Sequence, residues 1–83
     1  MIKVCITQYG TKTWRLAETA DRLGKLHRTH GPAVVYPDVS YAWYNQGLRH
    51  RVDGPAIELA DGTVEYWGNN QLVTEYELMF LKH

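Results

Sequence analysis

Four side chains stand at spacings that suit metal chemistry. His27-x-x-His30 and His50-x-x-Asp53 are one 23-residue step apart, and imidazole with carboxylate is a donor set that zinc accepts. The competing assignment makes His30 and Asp53 turn residues ahead of Gly31-Pro32 and Gly54-Pro55, and makes His27 and His50 features of a repeated unit. On that ground no resident metal or other cofactor is expected, with His27, His30, His50 and Asp53 kept as the candidate ligands. Glu58 and Glu65 form the next pair. Opposed across a hairpin they would repel, and a split pair of carboxylates suits acid–base work. The corresponding positions of the preceding unit are Val35 and Ala42, and no nucleophile or companion histidine is implied nearby. Cys5 on a short apolar strand reads as a small hydrophobe. There is no Gly-rich phosphate loop and no His-Glu-x-x-His motif. No catalytic residue is assigned, and an enzyme is the least expected class.

The elements that must position these residues come from a repeat. At an offset of 23, His27-Arg28-Thr29-His30-Gly31-Pro32-Ala33 lies over His50-Arg51-Val52-Asp53-Gly54-Pro55-Ala56. The match runs on without a gap to Trp43-Tyr44 over Tyr66-Trp67. A fainter copy, Tyr9-Gly10-Thr11-Lys12-Thr13-Trp14, is followed by an insertion from Leu16 to Leu23. The chain is therefore one domain, 1–83. It comprises a divergent first hairpin plus insertion (1–23), two repeat units (24–47 and 48–73) and a cap (74–83). Residues 17–23 form one helical turn or a loop.

Each unit reads as a β-hairpin. Asp61-Gly62 is a strong signal for a two-residue type I′ turn, which pairs Leu59 with Val64, Glu58 with Glu65 and Ile57 with Tyr66. The same register pairs Tyr36 with Tyr41 and Val34 with Trp43, although Val39 stands in place of the turn glycine and demands a looser or different turn. Alternation then puts Val34, Tyr36, Tyr41, Trp43, Ile57, Leu59, Val64 and Tyr66 on a core face. Ala33, Val35, Tyr44, Ala56, Glu58, Glu65 and Trp67 fall on a partly wet one. The register of the N-terminal strand, with Ile2, Val4 and Ile6 alternating, is open. Thr74-Glu75-Tyr76-Glu77 is a capping box with Val73 and Leu78 as a staple. It predicts a helix from Glu75 to about Lys82, with Tyr76, Met79 and Phe80 packed on the open end of the sheet. The fold class expected is mainly β, an antiparallel meander of about six strands with a short C-terminal helix.

The unit His-Arg-x-Asp-Gly-Pro-Ala, then Asp-Gly-Thr, an aromatic pair and Asn-Gly, resembles a repeat of small phage, bacterial and giant-virus proteins. It is distantly similar to MORN repeats. The resemblance covers residues 24–73 well and 9–14 weakly, and it departs at His30 for Asp, Val39 for Gly and Asn70 for the closing Gly. It implies a hairpin-built scaffold. For a protein of this size it also implies a host-interaction role, a phage-encoded inhibitor that binds a host defence protein in the host cytoplasm.

Composition narrows the classes further. Of the 83 residues 45% are hydrophobic, too many for a disordered tail, and no apolar run is long enough to span a bilayer. Met1-Ile2-Lys3-Val4 does not open a secretory signal, and one cysteine fits a reducing compartment, so a cytoplasmic protein with no membrane partner is expected. The net charge is zero, which argues against a nucleic-acid partner. It is unevenly placed: residues 1–35 hold six Lys/Arg and two acids, residues 36–83 three Lys/Arg and seven acids. Arg28 and Arg51 either tie units together through Asp53, Asp38 or backbone carbonyls, or present guanidinium groups to an acidic partner or nucleotide. Tyr44 and Trp67, beside arginine, have the chemistry of interface hot spots. The function expected is a non-enzymatic protein-binding module that contacts a host protein through Tyr44, Trp67, Arg28, Arg51, Glu58 and Glu65. The alternatives are a self-assembling structural module, a homodimer included, and a small-ligand or nucleotide binder.

Overall fold

In the computed structural model, which describes residues 2–16 and 24–77, one kind of turn closes three of the hairpins. The Leu59 N–H donates to the Thr63 carbonyl at 2.8 Å and the Gly62 N–H to the Leu59 carbonyl at 2.9 Å. Gly62 has φ +91° while Asp61 does not enter positive φ. This is a three-residue loop, a type I turn followed by a left-handed residue, not the type I′ turn expected. Thr7 to Thr11 repeats it with Gly10 at φ +90°. Tyr36 to Ser40 repeats it with Val39 at φ +63°, so valine adopts the glycine conformation instead of changing the turn.

The extra loop residue shifts the register by one, and a one-residue slip exchanges faces. Ile57 faces Glu65 and Glu58 faces Val64, while Val34 faces Ala42 and Val35 faces Tyr41. Glu58 and Glu65 are therefore not opposed, and the expected core face is split. Tyr36, Leu59 and Val64 are exposed. The buried apolar positions are Val34 and Ala42, with Ala33 and Ala56 fully covered instead of lying on the wet face. At the N-terminal strand, left open by the sequence, Val4 faces Trp14 and Cys5 faces Thr13.

Strands β1 (Ile2–Ile6), β2 (Lys12–Leu16), β3 (Val34–Val35), β4 (Tyr41–Ala42), β7 (Ile57–Glu58), β8 (Val64–Gly68) and β9 (Gln71–Val73) make one antiparallel sheet in that order. β5 (Tyr44–Asn45) and β6 (Leu48–Arg49) form a separate ribbon. The mainly β fold is the one expected, built from more and shorter strands than six. Spatial order follows chain order in the main sheet, so its basic first half and acidic second half lie on opposite sides. The type I′ turns sit elsewhere, at Gln46-Gly47 (φ +50° and +86°) and Asn69-Asn70 (φ +49° and +68°).

No large side chain among the described residues is fully buried, so cohesion comes mostly from backbone ladders and the contacts between units. The capping box forms, the Glu77 N–H donating to Thr74 Oγ1 at 3.0 Å and the Thr74 N–H to Glu77 Oε1 at 3.1 Å, and one helical turn follows at 75–77. Tyr76, expected to pack on the sheet, is 69% exposed. The segment 17–23, the rest of the predicted helix, and Leu78, Met79 and Phe80 lie outside the described residues.

Candidate functional site

The repeated motif builds the same joint twice. The His27 imidazole accepts the Gln46 N–H on Nδ1 at 2.9 Å, and His50 accepts the Asn69 N–H at 3.0 Å. Each histidine thus satisfies the first residue of a type I′ turn in its own unit. The arginines reach into the preceding unit. Arg28 lies over the Trp14 ring and Arg51 over the Trp43 ring, both at 4.0 Å from the centroid. Their Nη1 groups donate to the Pro32 and Pro55 carbonyls at 3.3 and 3.1 Å. The far side of each guanidinium rests on a glycine. A Cβ on Gly31 would stand 2.8 Å from Arg28 Cζ, and one on Gly54 3.0 Å from Arg51 Cζ. Neither glycine has positive φ, so close approach, not conformation, requires it. Arginine is held between an indole and a bare Cα, the stacked geometry that a guanidinium favours.

Between the two motifs lies a cleft of about 370 Å³ lined by His27, Arg28, His30, Tyr44, Arg51 and Asp53 among others. The joints differ at the arginine Nε, and Lys12 also lies 5.9 Å over the Trp14 ring of the first joint. Arg51 Nε bonds Asp53 Oδ1 at 2.8 Å, whereas His30 occupies the matching position beside Arg28. Among the described residues no group of three or more His, Cys, Asp or Glu is placed to hold a metal, and the Nδ1 atoms of His27 and His50 are taken by backbone.

The expected contact residues separate into three places. Arg28 and Arg51 belong to the joints. Glu58 sits opposite Val64, on the face away from Glu65. Tyr44, Glu65 and Trp67 come together through Arg49, which sequence reasoning missed. Arg49 Nε donates to the Tyr44 hydroxyl at 3.3 Å and its guanidinium lies 4.7 Å from the Trp67 ring centroid. Trp67 Nε1 donates to Glu65 Oε1 at 2.9 Å. All four are half-buried.

A second surface was also missed. The three hairpin tips line one edge: Gly10 sits against Pro37, its Cβ direction 3.5 Å from Pro37 Cγ, and Ser40 Oγ accepts the Ala60 N–H at 3.0 Å. On this rim Tyr9 is 79%, Val39 74%, Tyr36 46% and Leu59 43% exposed. Alternation assigned Tyr36 and Leu59 to the core, which concealed the rim. Two carboxylates flank it. Backbone N–H donation from Ser40 to Asp38 and from Thr63 to Asp61, aided by the Ser40 and Thr63 hydroxyls, holds both below the ordinary carboxylate value of 3.8.

No family model, no curated protein and no solved structure matches the chain. Among the described residues no helix is long and apolar enough to cross a membrane.

Proposed function

We propose that this chain is a non-enzymatic protein-binding repeat module whose partner docks on the hairpin rim, with the Tyr44–Arg49–Trp67 cluster as a second contact. The observation that carries this reading is the rim itself. Four large apolar side chains are exposed at neighbouring hairpin tips, and exposed apolar surface concentrated on a small domain marks interaction sites. Val39 strengthens it. A β-branched residue in the left-handed region is strained, yet it is 74% exposed and so gains little from packing. The resemblance to small phage repeat proteins extends the proposal to its partner class, a host defence protein inhibited by occupancy in the host cytoplasm.

The test is affinity capture from bacterial lysate of the tagged protein, with Val39→Ser and Trp67→Ala beside it. One stoichiometric host protein, lost in Val39→Ser while the circular dichroism spectrum is retained, supports the rim. Loss in Trp67→Ala alone moves the contact to the aromatic cluster. Capture of nothing overturns the proposal in favour of self-association. That second reading has its own observation: among the described residues β1 is an edge strand, on which Ile2, Val4 and Ile6 are exposed.

A further inference from the structure

The two joints are internal controls for one another, and their difference points to a ligand. Arg28 and Arg51 share the stack at 4.0 Å, the proline carbonyl and the glycine backing. Arg51 has in addition the carboxylate of Asp53 on Nε. Arg28 Nε has no acceptor among the described residues. His30, which stands where that carboxylate would be, is exposed and lines the same cleft as Arg28. An imidazole adds a donor here, where the other joint has an acceptor.

We infer that the cleft between the two motifs is a carboxylate-binding site, in which a ligand carboxylate bonds Arg28 Nε and His30 as the counterpart of Asp53 on Arg51. The guanidinium is held rigid by Trp14 and Gly31, so little ordering is required when the anion arrives, and charge-assisted bonds to a fixed arginine are the stronger kind. The cleft volume, about 370 Å³, is at the small end of ligand sites and fits one side chain or a small acid. Tyr44 on its wall offers an aromatic surface for the aliphatic stem of such a group. The site does not depend on the rim, and it stands or falls separately from the proposed partner.

The experiment titrates the whole protein with three probes at low ionic strength, read by amide chemical shifts. The probes are an acetylated, amidated tetraglutamate peptide, the matching tetraglutamine peptide, and glutarate. Tetraglutamate, glutarate or both should shift the Arg28, His30 and Tyr44 amides. Peptide binding without glutarate binding assigns an acidic segment as the source of the carboxylate, and equal binding assigns a free acid. In His30→Asp the new carboxylate should occupy Arg28 from within, raising Tm and weakening tetraglutamate at least about tenfold. Because that variant restores the repeat pattern it keeps the experiment decisive even where Arg28→Ala fails to fold. Shifts of equal size with tetraglutamine, undiminished binding by His30→Asp, or no shifts with either acidic probe would each overturn the inference.

Discussion

Replacing Gly31 with alanine probes the held arginine directly. Its φ is not positive, so the added methyl meets no backbone strain. It would stand 2.8 Å from Arg28 Cζ and 2.9 Å from Nε. The obstacle is the end of a flexible side chain, so the backbone need not move and the guanidinium leaves instead. The stack on Trp14 at 4.0 Å goes with it, about 1 kcal/mol for a half-buried pair. So does the long bond to the Pro32 carbonyl at 3.3 Å, about 0.5–1 kcal/mol. A loss of about 1.5–2 kcal/mol lowers Tm by about 6–16 °C in a domain of this size. The assay is a double-mutant cycle with Arg28→Ala, measured by thermal and denaturant melts. Once Arg28 is truncated the methyl has nothing to displace. Gly31→Ala should then be close to neutral, with a coupling of about 1.5 kcal/mol between the sites. Additive losses would refute the reasoning and return Gly31 to a conformational role. Gly54→Ala with Arg51→Ala should follow the same pattern. Its loss should be larger by at most about 1 kcal/mol, since the Asp53 carboxylate is mostly exposed.

Val39→Gly should stabilise the protein. Relief of about 1–2 kcal/mol of left-handed strain outweighs about 0.5–1 kcal/mol of added chain entropy, and a lower Tm would mean that Val39 packs. Acid should destabilise it partly through Asp38 and Asp61. Their folded values lie below 3.8, so their contribution is complete above that value and lost as pH falls through the lower folded one. The Asp38→Asn/Asp61→Asn variant should therefore show a flatter Tm profile between about pH 6 and about pH 2, and an unchanged acid limb would contradict the two Asx bonds. Glu58→Gln and Glu65→Gln should add within about 0.5 kcal/mol, because the observed register separates them onto opposite faces. A coupling well beyond that would restore the opposed pair.

Hairpins and the capping box were legible because each rests on local residue types: alternation, turn residues, and Thr with Glu three positions on. Register was not. Asp-Gly serves equally as the centre of a two-residue turn and as the last two positions of a three-residue one, and a single residue decides which face every side chain takes. That slip removed Glu58–Glu65 as a pair and revealed Tyr36 and Leu59 as surface. The arginine joints were half legible. Repetition at Arg28 and Arg51 signalled a role between units, but the stacking partners are concealed because the insertion falls between Trp14 and Arg28 and not between Trp43 and Arg51. Arg49 gave no signal at all, since leucine occupies its repeat positions at Leu26 and Leu72.

The middle unit is where this chain departs from its own pattern in ways that weaken it. His30 gives up the carboxylate that Asp53 supplies to Arg51, and Val39 takes up the φ that Gly10 and Gly62 adopt without strain. Neither change is explained by packing, since both residues are exposed. Local rules broken at exposed positions, inside a scaffold that obeys them elsewhere, mark places held for something other than stability. His30→Asp combined with Val39→Gly should therefore raise stability, by about 1–2 kcal/mol from one exposed ion pair and one relaxed turn. It should weaken both the acidic probe in the cleft and the captured partner on the rim. Greater stability with both interactions intact would place the function away from His30 and Val39, on the β1 edge or the Tyr44–Arg49–Trp67 cluster.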